Sequence, residues 1–160
     1  MSNSKDFATN SKMKHLIQGL LHRYTVLDFS WGALQSLLGL LLSLASLIAG
    51  ARLNSVKGHC CIVQDSPLLP RNAGISLGPF LVGGDGFYSW KHEYGHTFQS
   101  RLLGPLYLVV IGIPSVLSAA LRPAKHHKLF AERWADAWSP RHDLALRFDE
   151  ASQKTRLSNR

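Results

Sequence analysis

His92-Glu93-Tyr94-Gly95-His96 follows the turn-like run Gly83-Gly84-Asp85-Gly86, and a helix is expected to begin near Ser89. On a helix, residues four apart project from one face, one turn above the other. Both imidazoles can therefore reach a single ion, and the glutamate beside the first sits near a bound water rather than among the ligands. A metal would acidify that water, and Glu93 is placed to take its proton. The plainer reading is a pair of interface histidines on an amphipathic face.

A zinc site open to water needs a third protein ligand. A histidine six residues beyond His96 would fall at position 102, which is Leu102, so that arrangement is excluded. Further on stands Ala131-Glu132-Arg133-Trp134-Ala135-Asp136, inside a helix expected over Lys128–Trp138 and stopped by Ser139-Pro140. Glu132 and Asp136 share a face: the first can bind the metal, and the second can accept the outer N–H of a ligand histidine. A solvated acidic pair is the alternative. The chain has only ten acidic residues, however, and Trp134 and Trp138 point to a docked helix.

Between the two helices lies a second apolar segment, Leu102 to Leu121, broken at Gly104-Pro105 and at Gly112-Ile113-Pro114. A single crossing would place Glu132, His126 and His127 about 30 Å from His96. A hairpin that enters the membrane and returns, broken at Gly112-Ile113-Pro114, keeps them together. The Glu132 assignment requires the hairpin.

Toward the N-terminus, residues 30–53 read as a transmembrane helix. Trp31 to Leu53 is uncharged until Arg52, and about 20 such residues span a bilayer. Met13, Leu16, Ile17, Leu20, Leu21, Tyr24 and Leu27 have helical spacing, so residues 1–29 comprise a polar tail and an amphipathic, interfacial helix. Cys60–Val63 and Ile75–Val82 are β-compatible and are expected to pair as a hairpin. Gly78-Pro79 suggests an edge strand or a bulge in the second. Residues 141–160 form a charged tail.

Composition agrees with a membrane protein. Hydrophobic residues make up 46% and charged residues 18%, against about 25% charged in soluble domains. A net charge of +8 suits an anionic membrane surface, and no nucleic-acid signature accompanies it. Cys60 and Cys61 are adjacent, so no disulfide framework is implied. By number, Lys and Arg slightly favour a cytoplasmic site, while Lys12, Lys14 and Arg23 pull the other way.

H-E-x-x-H followed by E-x-x-A-D resembles the gluzincin metallopeptidases, especially the membrane-embedded HtpX-like and CaaX-prenyl protease group. The resemblance covers one helix and part of another. It implies zinc on His92, His96 and Glu132, Glu93 as general base and acid, and Asp136 supporting a ligand. The expected protein is mainly α and membrane-anchored, with a small β-hairpin and a zincin-like metal domain over residues 54–140. Its expected partners are membrane lipid and a protein or peptide substrate, hydrolysed through a metal-activated water; nucleic acid is not expected. Tyr107, His126, His127 and His142 are candidate oxyanion donors, with Tyr94 and Arg133 behind them, and the strand ending near Val82 is a candidate edge for an extended peptide. A non-catalytic protein with a four-ligand structural metal, or a chance motif, is the alternative.

Overall fold

The computed structural model describes residues 25–56 and 59–139. The polar tail, the interfacial helix up to Tyr24, the charged tail and His142 lie outside the described residues. The fold is mostly helical, with one small mixed sheet of four strands. Its elements are α1 (Thr25–Phe29), α2 (Ala33–Ile48), β1 (Arg52–Val56), β2 (Cys60–Gln64), β3 (Gly74–Leu77), β4 (Phe80–Gly83), α3 (Trp90–Leu103), α4 (Ile113–Leu121) and α5 (Phe130–Trp138).

The sheet order is β1-β2-β4-β3. β1 and β2 form one antiparallel hairpin, β3 and β4 another, and β2 runs parallel to β4. The expected hairpin of 60–63 with 75–82 is therefore replaced. Residues 75–82 fold back on themselves at Gly78-Pro79, where Gly78 has φ +58°, a conformation suited to the first position of a tight hairpin turn. Val82 lies on central β4, so the strand ending near Val82 is not an edge; the edges are β1 and β3.

β2 and β4 are buried along their whole length, as strands covered on both faces must be. Their side chains alternate between two cores. Cys60, Ile62 and Leu81 join Phe87, Trp90 and Tyr94 on one face, whereas Val63 and Val82 join Ala51, Leu42 and Leu47 on the other. The sheet is thus sandwiched between α3 and α2.

The apolar run 30–53 is not one helix. α2 has 16 residues, roughly 24 Å of rise, and the chain turns at Gly50 (φ +103°) so that Arg52 and Leu53 enter β1. No single helix among the described residues is long and apolar enough to cross a membrane. α2 also has its polarity reversed. Gln35, Ser36, Gly39, Ser43 and Ser46 are buried, while Leu34, Leu37, Leu38, Leu41, Leu44 and Ile48 are exposed. Small residues permit close approach: a Cβ on Gly39 would lie 2.3 Å from the Leu77 carbonyl oxygen. Ser36 Oγ donates to the Asp28 carbonyl (2.6 Å) and Gln35 Nε2 to that of Gly104 (2.9 Å). A buried, bidentate Arg101–Asp28 pair (3.0 and 3.1 Å) joins α3 to α1.

Segment 102–121 does reverse direction against what precedes it, but at a different place. The bend, 118° between Trp90–Leu106 and Leu108–Leu121, falls at Gly104–Tyr107 rather than at Gly112-Ile113-Pro114. Gly104 has φ +54°, and a Cβ there would lie 2.3 Å from the Trp31 ring, so only glycine fits both demands. Gly112-Ile113-Pro114 passes straight into α4. Proline has no N–H to return to the preceding turn and crowds its carbonyl, and the wider π-helical turn Leu108–Gly112 absorbs that conflict. A 3₁₀ turn, Pro123–Lys128, then leads to α5, which packs on α3.

Candidate metal centre

His92 and His96 sit one turn apart on α3 with ring centroids 4.9 Å apart. Close packing of α5 brings Glu132 to them: a Cβ on Gly95 would lie 2.2 Å from the Ala135 carbonyl oxygen, so the helices meet backbone to backbone. Glu132 Oε2 is 2.9 Å from His92 Nε2 and 3.4 Å from His96 Nε2. One ligand atom from each of the three residues lies within 4.8 Å of the others. Atoms bound tetrahedrally to one zinc at its usual bond lengths stand about 3.4 Å apart, so this group could hold a metal ion. No family model, curated protein or solved structure matches the chain. The geometry therefore carries the functional argument.

Hydrogen bonds orient the group. Asp136 Oδ1 accepts from His92 Nδ1 at 2.7 Å, because a carboxylate only accepts; this leaves His92 Nε2 directed at Glu132. Gln99 Oε1 is 2.7 Å from His96 Nδ1, and the Ser115 hydroxyl donates to Glu132 Oε1. Burial alone would push the Glu132 carboxyl up, but the bonds from His92, His96 and Ser115 hold it well below the usual carboxylate range. Burial likewise opposes charge on His92, yet Glu132, Glu93 and Asp136 outweigh it and raise its pKa to about 9. His96 is also raised against its burial, by Glu132 and Glu93. The neighbouring carboxylates thus favour the protonated histidines, and a cation bound by the same three residues would compete with those protons.

Glu93 is buried at the same centre, and burial pushes its carboxyl up despite the pull of His96 and His92. A raised carboxyl is the kind suited to taking and returning a proton near neutral pH. All four residues line a cavity of about 880 Å³ between β3, the 108–121 helical arm and the turn before α5.

The candidate donors separate. His126 and His127 line the cavity, and His126 Nε2 is 3.5 Å from Glu132 Oε2. Tyr107 also lines it, but its hydroxyl donates to the Ser76 carbonyl at 2.9 Å, pinning the arm to β3. Tyr94 is buried in the sheet-facing core with its hydroxyl 3.1 Å from His59 Nδ1, and Arg133 is exposed on α5; neither lines the cavity. Cys60 and Cys61 are buried in β2 and do not belong to the three-residue group. Sequence reasoning passed over Ser115 and Gln99. Gln99 carried a signal, since position i+3 shares the His96 face, whereas nothing local marks Ser115.

Proposed function

We propose that the chain is a membrane-associated zinc metallopeptidase of gluzincin-like design. The observation that supports it best is the convergence of His92, His96 and Glu132 beside Glu93 on the wall of one large cavity. Zinc bound there would acidify a water in the open fourth position and polarise a peptide carbonyl. Glu93 would accept the water's proton and return it to the departing amine. Asp136 holds His92 in the tautomer that presents Nε2. His126 is the side chain best placed to donate to a developing oxyanion. An extended peptide would lie along the β3 side of the cavity, toward Gly74, because Tyr107 already takes the Ser76 carbonyl.

The test is metal content of detergent-purified protein. About one zinc per chain is expected in the wild type, as one three-ligand centre requires, and His96→Ala and Glu132→Ala should each lose it or bind it far more weakly. Zinc retained by Glu132→Ala would undo the ligand assignment, and no zinc in folded wild type after zinc is supplied would end the metal reading. A closed structural site is the second reading, favoured by His126 standing 3.5 Å from Glu132. On that reading His126→Ala should lose zinc too; on ours it keeps the metal and loses activity.

Membrane association rests on the reversed polarity of α2 and on the exposed apolar residues of the bend and arm, Leu102, Leu106, Val109, Ile113, Val116, Leu117 and Leu121. In water such faces are costly, whereas in lipid small and polar residues turn inward and leucines outward. Arg122, Lys125 and Lys128 follow the arm at once, a cationic collar suited to headgroups. The chain should sediment with membranes, resist alkaline carbonate and need detergent for extraction. Recovery as a detergent-free monomer would refute this.

A further inference from the structure

We propose that Gln99 is a positioning residue of the metal centre, setting the tautomer of His96 so that its Nε2 is the nitrogen presented to a metal. The inference rests on the metal reading above.

Its side chain is fully buried, and its orientation follows from its partners. One end lies 2.8 Å from the Ala131 carbonyl oxygen. A carbonyl only accepts, so that end is the NH₂ group, and the oxygen must face His96 Nδ1, 2.7 Å away. An amide oxygen in turn only accepts, so Nδ1 carries the hydrogen. In the neutral ring Nε2 is then the bare nitrogen, directed at Glu132 and ready for a metal.

Ala131 immediately precedes Glu132. One amide therefore grips the second histidine with its oxygen and the start of the carboxylate-bearing turn with its nitrogen. His92 relies instead on Asp136, whose side chain is 63% exposed. Water can replace Asp136 as an acceptor. It has no access to replace Gln99, so losing Gln99 leaves the His96 Nδ1–H without a partner in a buried place, whereas the Ala131 carbonyl keeps the backbone bond of its own helix. The competing account is a purely structural tie, in which the amide holds two helices together and the histidine contact is incidental.

Two substitutions separate these accounts. Gln99→Met keeps length and removes both hydrogen-bonding functions, whereas Gln99→Glu keeps an acceptor for His96 and loses the donor to Ala131. The purified full-length chain is titrated with Co²⁺ against a chromophoric chelator, and the exchangeable imidazole N–H resonances of the cobalt form are recorded by NMR. The wild type should show two such resonances, that of His96 exchanging slowly because it is buried. Gln99→Met should lose about 10–100-fold in cobalt affinity, the usual range for an outer partner of a ligand, together with the slow resonance. Gln99→Glu should stay within a few-fold of wild type and keep that resonance. Equal loss in both variants, following their loss of metal-free thermal stability, would overturn the inference in favour of a structural tie. Wild-type affinity in Gln99→Met would overturn it outright. Should Gln99→Met fail to fold, Gln99→Glu decides alone: retained affinity and resonance support the inference, and weakened affinity refutes it. A wild type that takes up no cobalt would refute the metal reading and this inference together; uptake by the wild type with an indifferent variant refutes only the latter.

Discussion

Glu93→Gln should leave zinc bound and reduce proteolysis of a labelled unfolded protein such as casein by about 10²–10⁴-fold, the usual worth of a positioned acid–base group. The substitution is nearly isosteric, and Glu93 is absent from the three-residue metal group, so loss of metal would not explain the fall. Its buried carboxyl is pushed up by desolvation, whereas Glu132, equally a glutamate and only a few ångströms from both histidines, is held low by three hydrogen bonds. Two carboxylates in one centre are thus driven apart, the arrangement by which acid–base and binding roles are divided. Zinc content and thermal stability close to wild type, with activity lost, is the expected result. Unchanged activity in a zinc-loaded Glu93→Gln protein would remove the role from Glu93, and a parallel loss of zinc would place Glu93 among the ligands.

The candidate site was more legible in the sequence than the fold. His92, His96, Glu132 and Asp136 could be found because helical spacing turns four-residue separations into shared faces, a local rule that survives ignorance of the tertiary structure. Bringing the two helices together is a long-range matter. Leu102–Leu121 showed two breaks of similar strength, and only the packing of Trp31 over Gly104 decides that the first is the bend. The strands were hidden for different reasons. β1, Arg-Leu-Asn-Ser-Val, is polar and directly continues an apolar helix, so composition assigned its start to that helix. β3 and β4 are four residues each, and their tight turn resembled a flaw within one longer strand.

α2 is the instructive error. Its composition reads as apolar all round, which suggested a helix surrounded by lipid. The exceptions Gln35, Ser36, Gly39, Ser43 and Ser46 recur at helical spacing and form the face laid against the β3–β4 turn and the Ser66 loop, where Ser46 and Ser66 hydroxyls meet at 2.8 Å. Hydrophobicity identified the helix, but the pattern of its small polar residues identified its packing. That pattern also changes the membrane argument. A lone 16-residue helix is too short to span, yet under the proposed membrane association a leucine face backed by a folded sheet would embed without crossing.

Gly95→Ala turns the contact between the two ligand-bearing helices into a measurement whose sign is informative. Gly95 lies inside α3 (Trp90–Leu103), where replacing glycine by alanine ordinarily stabilises a helix by about 1 kcal/mol. The added methyl would stand 2.2 Å from the Ala135 carbonyl oxygen and 2.8 Å from its carbon. Both are backbone atoms of a helix and cannot rotate aside, so α5 must move by roughly 1 Å to restore contact at about 3.5 Å or more. Overpacking of this kind costs about 1–3 kcal/mol, enough to reverse the propensity gain. The same displacement separates Glu132 from His92 and His96, and a 1 Å error in a reacting constellation can cost about 10²-fold in rate. Gly95→Ala is therefore expected to unfold at lower denaturant concentration than wild type, to bind zinc more weakly and to lose most activity. Gly95→Val should exceed it on every count. Denaturant unfolding of metal-free and zinc-loaded protein checks both parts, because a displaced Glu132 shrinks the stabilisation that zinc confers. If Gly95→Ala were instead more stable and bound zinc normally, propensity would have prevailed over packing, the helices would not meet at Ala135, and the third ligand would have to come from elsewhere.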